Sequence, residues 1–226
     1  MTTEPKDQSA ILLVSSTLEV PIMAKDWTLT GNNAWEHLQD VEPESWQCGY
    51  CSYEVASKTG LRTATHEAFI RICPHCNCPT FFSCDRKQWP GPRHGGLIAK
   101  LPKEVEVAYE EARGSLSVNA FTGSVMLCRK ILMNVAVSKG ADEGLQFAPY
   151  VEWLMKEGYV PKGSDGWLRY IKDRGNEANH QIVPMNSDDA RGVLSFTEQL
   201  LRNVYVLPNL VPPKPASQLE KGSNKP

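Results

Sequence analysis

The sequence predicts a mainly helical α+β protein, with a small cysteine-rich β module in front of a bundle of about five helices. Three observations lead there. Five of the seven cysteines fall in two tight clusters, Cys48 with Cys51 and Cys73 with Cys76 and Cys78. Strand-like residues lie between the clusters. From Pro102 onward the apolar residues recur at three- and four-residue steps, the period of a helix packed on one face.

The 226 residues are enough for one ordinary domain plus a small one, and 41% hydrophobic residues can fill a core. A net charge of −2 and a pI near 6.2 argue against a protein that coats nucleic acid along its whole surface. No apolar run approaches the ~20 residues that span a bilayer. The early run Ile11–Val14 is too short for a signal-peptide core and lacks a basic flank. A cytoplasmic, reducing location without membrane partners is therefore expected.

Residues 1–45 form an N-terminal segment with short apolar runs, Ile11-Leu12-Leu13-Val14 and Val20-Pro21-Ile22-Met23, read as one or two short strands of no assigned function. Residues 46–87 form the cysteine module, where Val55 and Ala68–Ile72 supply strands. The spacing is Cys48-x2-Cys51, then 21 residues, then Cys73-x2-Cys76. Each CxxC lets two thiolates converge on one ion from a single turn, and two such turns complete a tetrahedron. The expectation is a structural Zn2+ held by Cys48, Cys51, Cys73 and Cys76, closed to water and so not catalytic. Cys78 and Cys84 are extra thiols, either able to swap in as a ligand but read first as packing or surface groups. Cys128 lies on an apolar stripe and reads as a core thiol.

Residues 88–101 hold Pro90, Gly91, Pro92, Gly95 and Gly96, and read as a linker. Residues 102–207 are the helical part. Val105, Ala108, Tyr109, Ala112 and Leu116 mark the first helix, with Pro102 in its first turn. Phe121, Val125, Cys128, Leu132 and Val135 mark the second, ended by Gly140. A third runs from about Leu145 to Glu157 and stops at Gly158. A fourth runs from about Asp165 to His180. The fifth follows the capping residues Asn186-Ser187-Asp188 and carries Ala190, Val193, Leu194, Thr197, Leu201 and Val204. Residues 208–226 read as a disordered tail.

On the fourth helix, Leu168, Ile171, Gly175, Ala178 and Ile182 share one face. Asp173, Asn176, Glu177 and His180 lie opposite, and Arg174 stands about 120° from His180 on the helical wheel. Such a set can move a proton at His180 near neutral pH and grip a phosphate through Arg174. A solvated helix face in which Glu177 merely pairs with Arg174 has the same composition.

From Trp46 to about Pro208 the chain resembles the bacterial domain of unknown function 4145 family, part of the wider HEPN group of helical domains (higher eukaryotes and prokaryotes nucleotide-binding). The resemblance rests on Cys48-Gly-Tyr-Cys51, on Cys73-Pro-His-Cys76 with Pro79-Thr80-Phe81-Phe82, and on Leu101-Pro102. Tyr109-Glu110-Glu111-Ala112-Arg113, Leu127-Cys128-Arg129-Lys130 and Gly158-Tyr159-Val160-Pro161 add to it, as do Gly175–His180 and Asp188-Asp189-Ala190. It implies an HEPN-like bundle that dimerises through its helices. HEPN ribonucleases carry an arginine followed, after four to six residues, by a histidine, and work without metal. Arg174 and His180 fit that spacing. The resemblance thus implies His180 as acid or base and Arg174 as stabiliser of phosphate charge, with Asn176 and Glu177 beside them. Gly175 stands where many active members place a polar residue.

Two functions follow. One is a non-catalytic module that binds nucleic acid or a protein partner. The other is a metal-independent ribonuclease, in a toxin or phage-defence setting. The stretch from Arg86 to Lys103, with five basic residues and no acid, favours an RNA partner. The scarcity of aromatics interleaved with those basic residues, Trp89 alone, counts against one.

Overall fold

The computed structural model describes residues 35–160, 163–164, 166, 170 and 184–210. Of the fourth predicted helix only Gly166 and Tyr170 are described, both helical. The runs at Ile11–Val14 and Val20–Met23, the rest of that helix and the tail beyond residue 210 lie outside the described residues.

The β module is a five-stranded antiparallel sheet in simple sequential order: β1 Gln39–Gln47, β2 Glu54–Arg62, β3 Phe69–Ile72, β4 Pro79–Phe82 and β5 Gln88–Trp89. Its first strand begins at Gln39, ahead of the start expected at Trp46, and an irregularity between Asp40 and Glu44 shifts its register against β2. Arg71 pairs with Gly60 and Thr80, and Phe69 with Phe82, so these residues share the inner face. Gly60 has to be glycine: a Cβ there would come within 2.2 Å of the Ile70 carbonyl oxygen. The Arg71 guanidinium is fully buried between the Phe69 and Phe82 rings, 5.2 and 5.8 Å from their centroids. It donates to the Glu42 carbonyl at 2.6 Å, and its second terminal nitrogen lies 2.9 Å from a Glu44 carboxylate oxygen, close enough for an ion pair though not aligned as a hydrogen bond.

Buried apolar side chains of this module are few. Val41, Trp46, Phe69 and Phe82 are joined by Cys48, Cys51, Cys73, Cys76 and Cys78, so cysteines are five of the nine buried residues of this core. A module this small, with so little hydrocarbon inside, needs a cross-link to hold its shape.

Four helices are described: α1 Lys103–Ser117, α2 Phe121–Ser138, α3 Phe147–Lys156 and α4 Ser187–Leu201. Their stripes interlock in one core that includes Val105, Tyr109, Leu116, Val125, Leu132, Val151, Leu154, Val193 and Leu194. Pro102 precedes α1 as its cap and does not sit in the first turn; its carbonyl accepts from the Glu106 N–H at 2.9 Å. Gly140 and Gly158 follow α2 and α3 with φ of 113° and 79°, the left-handed conformation that ends helices. The Asn186 side chain caps α4 by accepting from the Asp189 N–H at 2.8 Å. After Leu201 the helix widens into one π turn, Arg202–Val206, which keeps Val204 buried, then a 3-10 turn at Leu207–Asn209. Among the described residues no helix is long and apolar enough to cross a membrane.

Of residues 88–101, read from sequence as a linker, Gln88–Trp89 form β5; residues 90–102 make a strap that carries no helix or strand yet is pinned on both sides. The Gly91 N–H donates to the Ser117 carbonyl at 2.7 Å, and His94 Nε2 lies 2.8 Å from Ser195 Oγ on α4. The Gly96 N–H donates to Glu198 at 3.1 Å, and Ile98 is buried in the helical core.

Candidate metal centre

Two turns of the same design carry the cysteines. In the first, the Cys48 N–H donates to the Tyr53 carbonyl and the Cys48 carbonyl accepts from Ser52, both at 2.9 Å. In the second, the Cys73 N–H donates to the Cys78 carbonyl at 3.0 Å and the Cys73 carbonyl accepts from Asn77 at 2.9 Å. Ser52 and Asn77 occupy equivalent places and both take positive φ, 62° and 60°. That conformation folds each backbone around its pair of sulfurs, so that both Sγ atoms of a turn point the same way. Trp35 donates from Nε1 to the Asn77 carbonyl at 3.0 Å, fastening the chain before β1 to the second turn.

The turns face each other. Cys48 Sγ lies 3.7 Å from Cys76 Sγ, Cys51 Sγ lies 3.8 Å from Cys73 Sγ, and all four sulfurs fall within 4.8 Å of one another. A regular tetrahedron of thiolates around an ion at ~2.3 Å has edges of ~3.8 Å. A disulfide needs ~2.05 Å, so these sulfurs are not bonded in pairs. All four are buried. The chain therefore brings together, from distant turns, a cysteine cluster whose geometry suits a metal ion.

Alone, so many neighbouring thiols ionise only in part. Hydrogen bonds from Cys51 and Cys76 lower Cys48 to about 7, and hydrogen bonding with Cys48 also lowers Cys73. The donors are held protonated, so Cys51 and Cys76 are raised, each chiefly by Cys48. A bound cation takes over the role of those shared protons.

Cys78 is buried beside the cluster, with its Sγ 3.6 Å from the Cys76 carbonyl oxygen, and Cys84 is exposed. Neither joins the four. Cys128 is buried in the helical core, and burial pushes its thiol up to about 12.

Behind the first turn lies a buried charge network. Arg93 donates from Nε to the Gly49 carbonyl and from a terminal nitrogen to Glu110, both at 2.8 Å. Arg113 grips the same carboxylate at 2.8 and 3.0 Å and reaches the His94 and Gly95 carbonyls at 3.0 and 2.7 Å. Gly49 touches the strap directly: a Cβ there would meet the Gly91 and Pro90 carbonyl oxygens at 2.6 and 2.8 Å. The signal for this network lay in Tyr109-Glu110-Glu111-Ala112-Arg113, where charged residues flank an apolar stripe.

Four of the five basic residues from Arg86 to Lys103 face acids, and the fifth, Lys100, is exposed. Arg93 is buried in the network. Arg86 faces Glu44 and Glu42 at 3.4 and 4.0 Å, Lys87 pairs with Asp85 at 2.7 Å, and Lys103 with Glu106 at 3.1 Å. Acids absent from the stretch itself come from β1, the turn before β5 and helix α1. Arg174, Asn176, Glu177 and His180, the expected catalytic set, lie outside the described residues.

The fold and site define a β module carrying a four-cysteine cluster able to hold a metal ion, joined to a helical core. A family model described as Domain of unknown function (DUF4145) matches residues 110–222, half of the chain, and the chain belongs to that family. No curated protein matches it. No solved structure matches either.

Proposed function

We propose that Cys48, Cys51, Cys73 and Cys76 hold one structural Zn2+, and that the protein is a non-catalytic module that binds a protein partner. The zinc reading is supported by the sulfur separations, which match the edge of a thiolate tetrahedron, and by a core too small to persist without a cross-link. Four thiolates around zinc leave no position for a water, so the ion would supply stability and not chemistry. The positive charge of Arg93 beside Cys48 suits a site that becomes dianionic when loaded.

A protein partner is favoured over nucleic acid because Arg86, Lys87, Arg93 and Lys103 are already paired with acids. Phosphate contacts would have to displace those pairs. An HEPN-like arrangement of the helices and self-association through them belong to the same proposal.

The test is metal analysis with an RNA panel, using full-length protein. One zinc per chain, with wild type and His180→Ala equally inert toward RNA, is the expected result. RNA cutting by wild type in the presence of chelator, abolished in His180→Ala, would replace this reading with a ribonuclease that uses Arg174 and His180.

A further inference from the structure

The register of the sheet aligns an apolar row on its outer face. Leu61 pairs with Ile70, Ile70 with Phe81, and Phe81 with Trp89, so four side chains from four adjacent strands stand side by side. Phe81 is 43% exposed and Trp89 47%, among the largest exposed apolar groups of the described residues. A groove of about 170 Å³ flanks the Leu61 end, lined by Thr63, Ala68, Ile70 and Phe81. Another of about 230 Å³ flanks the Trp89 end, lined by Tyr50, Pro90, Ser117 and Val118.

We propose that this face is the docking site of the chain's own N-terminal segment, through the run Ile11-Leu12-Leu13-Val14. Size is the first argument. Two half-exposed aromatics offer on the order of 200 Å², far below the ~800 Å² per partner of a stable interface between folded proteins. Four strands at ~4.8 Å spacing set the row's ends ~14 Å apart. A four-residue extended run spans about the same length.

Chemistry is the second argument. Residues 8–18 carry no charged side chain, and the row they would cover is apolar. Reach is the third. The described chain starts at Trp35, tied to the Asn77 carbonyl in the turn between β3 and β4, and Phe81 is only four residues from Asn77. Val14 and Trp35 are 21 residue steps apart, a length of tether whose typical span as a coil is ~25 Å, against at most ~14 Å from Asn77 to Phe81. Such a tether holds the run at an effective concentration in the millimolar range.

The test places a benzophenone photo-cross-linker at position 81 of the full-length, metal-loaded chain, where the exposed ring tolerates it. Irradiation followed by proteolysis and mass spectrometry should yield an intrachain cross-link to the peptide containing Ile11–Val14, at monomer mass. Leu12→Asp with Leu13→Asp should reduce that cross-link at least fivefold and speed hydrogen exchange over residues 79–89, with metal content unchanged. Cross-links only between two chains would assign the face to a second copy. Cross-links elsewhere, no cross-link at all, or exchange indifferent to the double substitution would each overturn the proposal.

Discussion

Arg93 donates to the carbonyl of Gly49, inside the first cysteine turn, over 2.8 Å. A residue from the strap between sheet and helices thereby fixes the backbone that aims two of the four sulfurs. The same guanidinium holds Glu110 on α1, which Arg113 holds from the other side. Sheet, strap and first helix share one buried charge network, so damage at this point should reach all three.

Arg93→Met should therefore destabilise the protein by about 3–5 kcal/mol, the usual cost of removing one partner from a buried pair. It strips the Gly49 carbonyl of its donor and leaves Glu110 with Arg113 alone. Urea unfolding followed by circular dichroism measures the loss, and chelator titration should show faster metal release.

Gly49→Ala tests the same junction from the turn. Its Cβ would press on two backbone oxygens at 2.6 and 2.8 Å, neither of which is a flexible chain end. A cost of about 1–3 kcal/mol is expected from overpacking. Gly163→Ala is a poor control because Gly163 has positive φ; Gly123→Ala, in an open position of α2, should be neutral or slightly stabilising.

Thiol labelling separates the seven cysteines. In the metal-loaded protein, Cys84 should react with iodoacetamide first and alone, because it is the one exposed thiol. Cys128 should stay unlabelled until the helices unfold, its thiol being buried and held well above neutral pH. Chelator should then expose Cys48, Cys51, Cys73 and Cys76 as a group, with Cys78 from the same small core. Mass spectrometry of the labelled peptides reads the order.

Much of this was legible in the sequence because it repeats at fixed intervals. The paired CxxC spacing pointed to the four sulfurs, and Val105, Tyr109, Ala112 and Leu116 traced the buried face of α1. Asn186 announced its helix by the chemistry of its side chain. What stayed hidden has no local period. Arg71 reads as a surface cation in Phe69-Ile70-Arg71-Ile72, and only the pairing of β2, β3 and β4 buries it. Arg93 reads as a linker charge until Gly49 and Glu110 meet it from 44 residues upstream and 17 downstream. The prolines and glycines of the strap marked irregular backbone correctly but carried no information on whether that backbone was packed.

Asn186→Ala should cost about 1 kcal/mol, since it removes the acceptor for the Asp189 N–H at the start of α4. Asn186→Asp should retain most of the stability, because a carboxylate accepts the same bond and suits the positive end of the helix. Thermal denaturation of the two variants side by side distinguishes a cap from mere bulk at this position.

His94 gives the stability a pH dependence of predictable sign. Burial, reinforced by the positive charge of Arg191, lowers its pKa below the ordinary 6.5, with Glu198 opposing and Arg113 adding to the effect. In the unfolded chain the ring keeps its ordinary affinity for a proton. Over the window between the folded and unfolded values the unfolded state binds more protons, so stability rises with pH there. The contribution is fully present above about pH 7 and is lost as the pH falls through 6.5 toward the folded value. His94→Gln can keep a bond to Ser195 Oγ but cannot titrate. Its unfolding midpoint should vary less with pH than that of wild type between about pH 5.5 and 7.5. Protonation of the four clustered cysteines affects both proteins alike, so the difference between the two curves isolates the ring. Parallel curves would mean that His94 titrates in the folded protein as it does in the open chain.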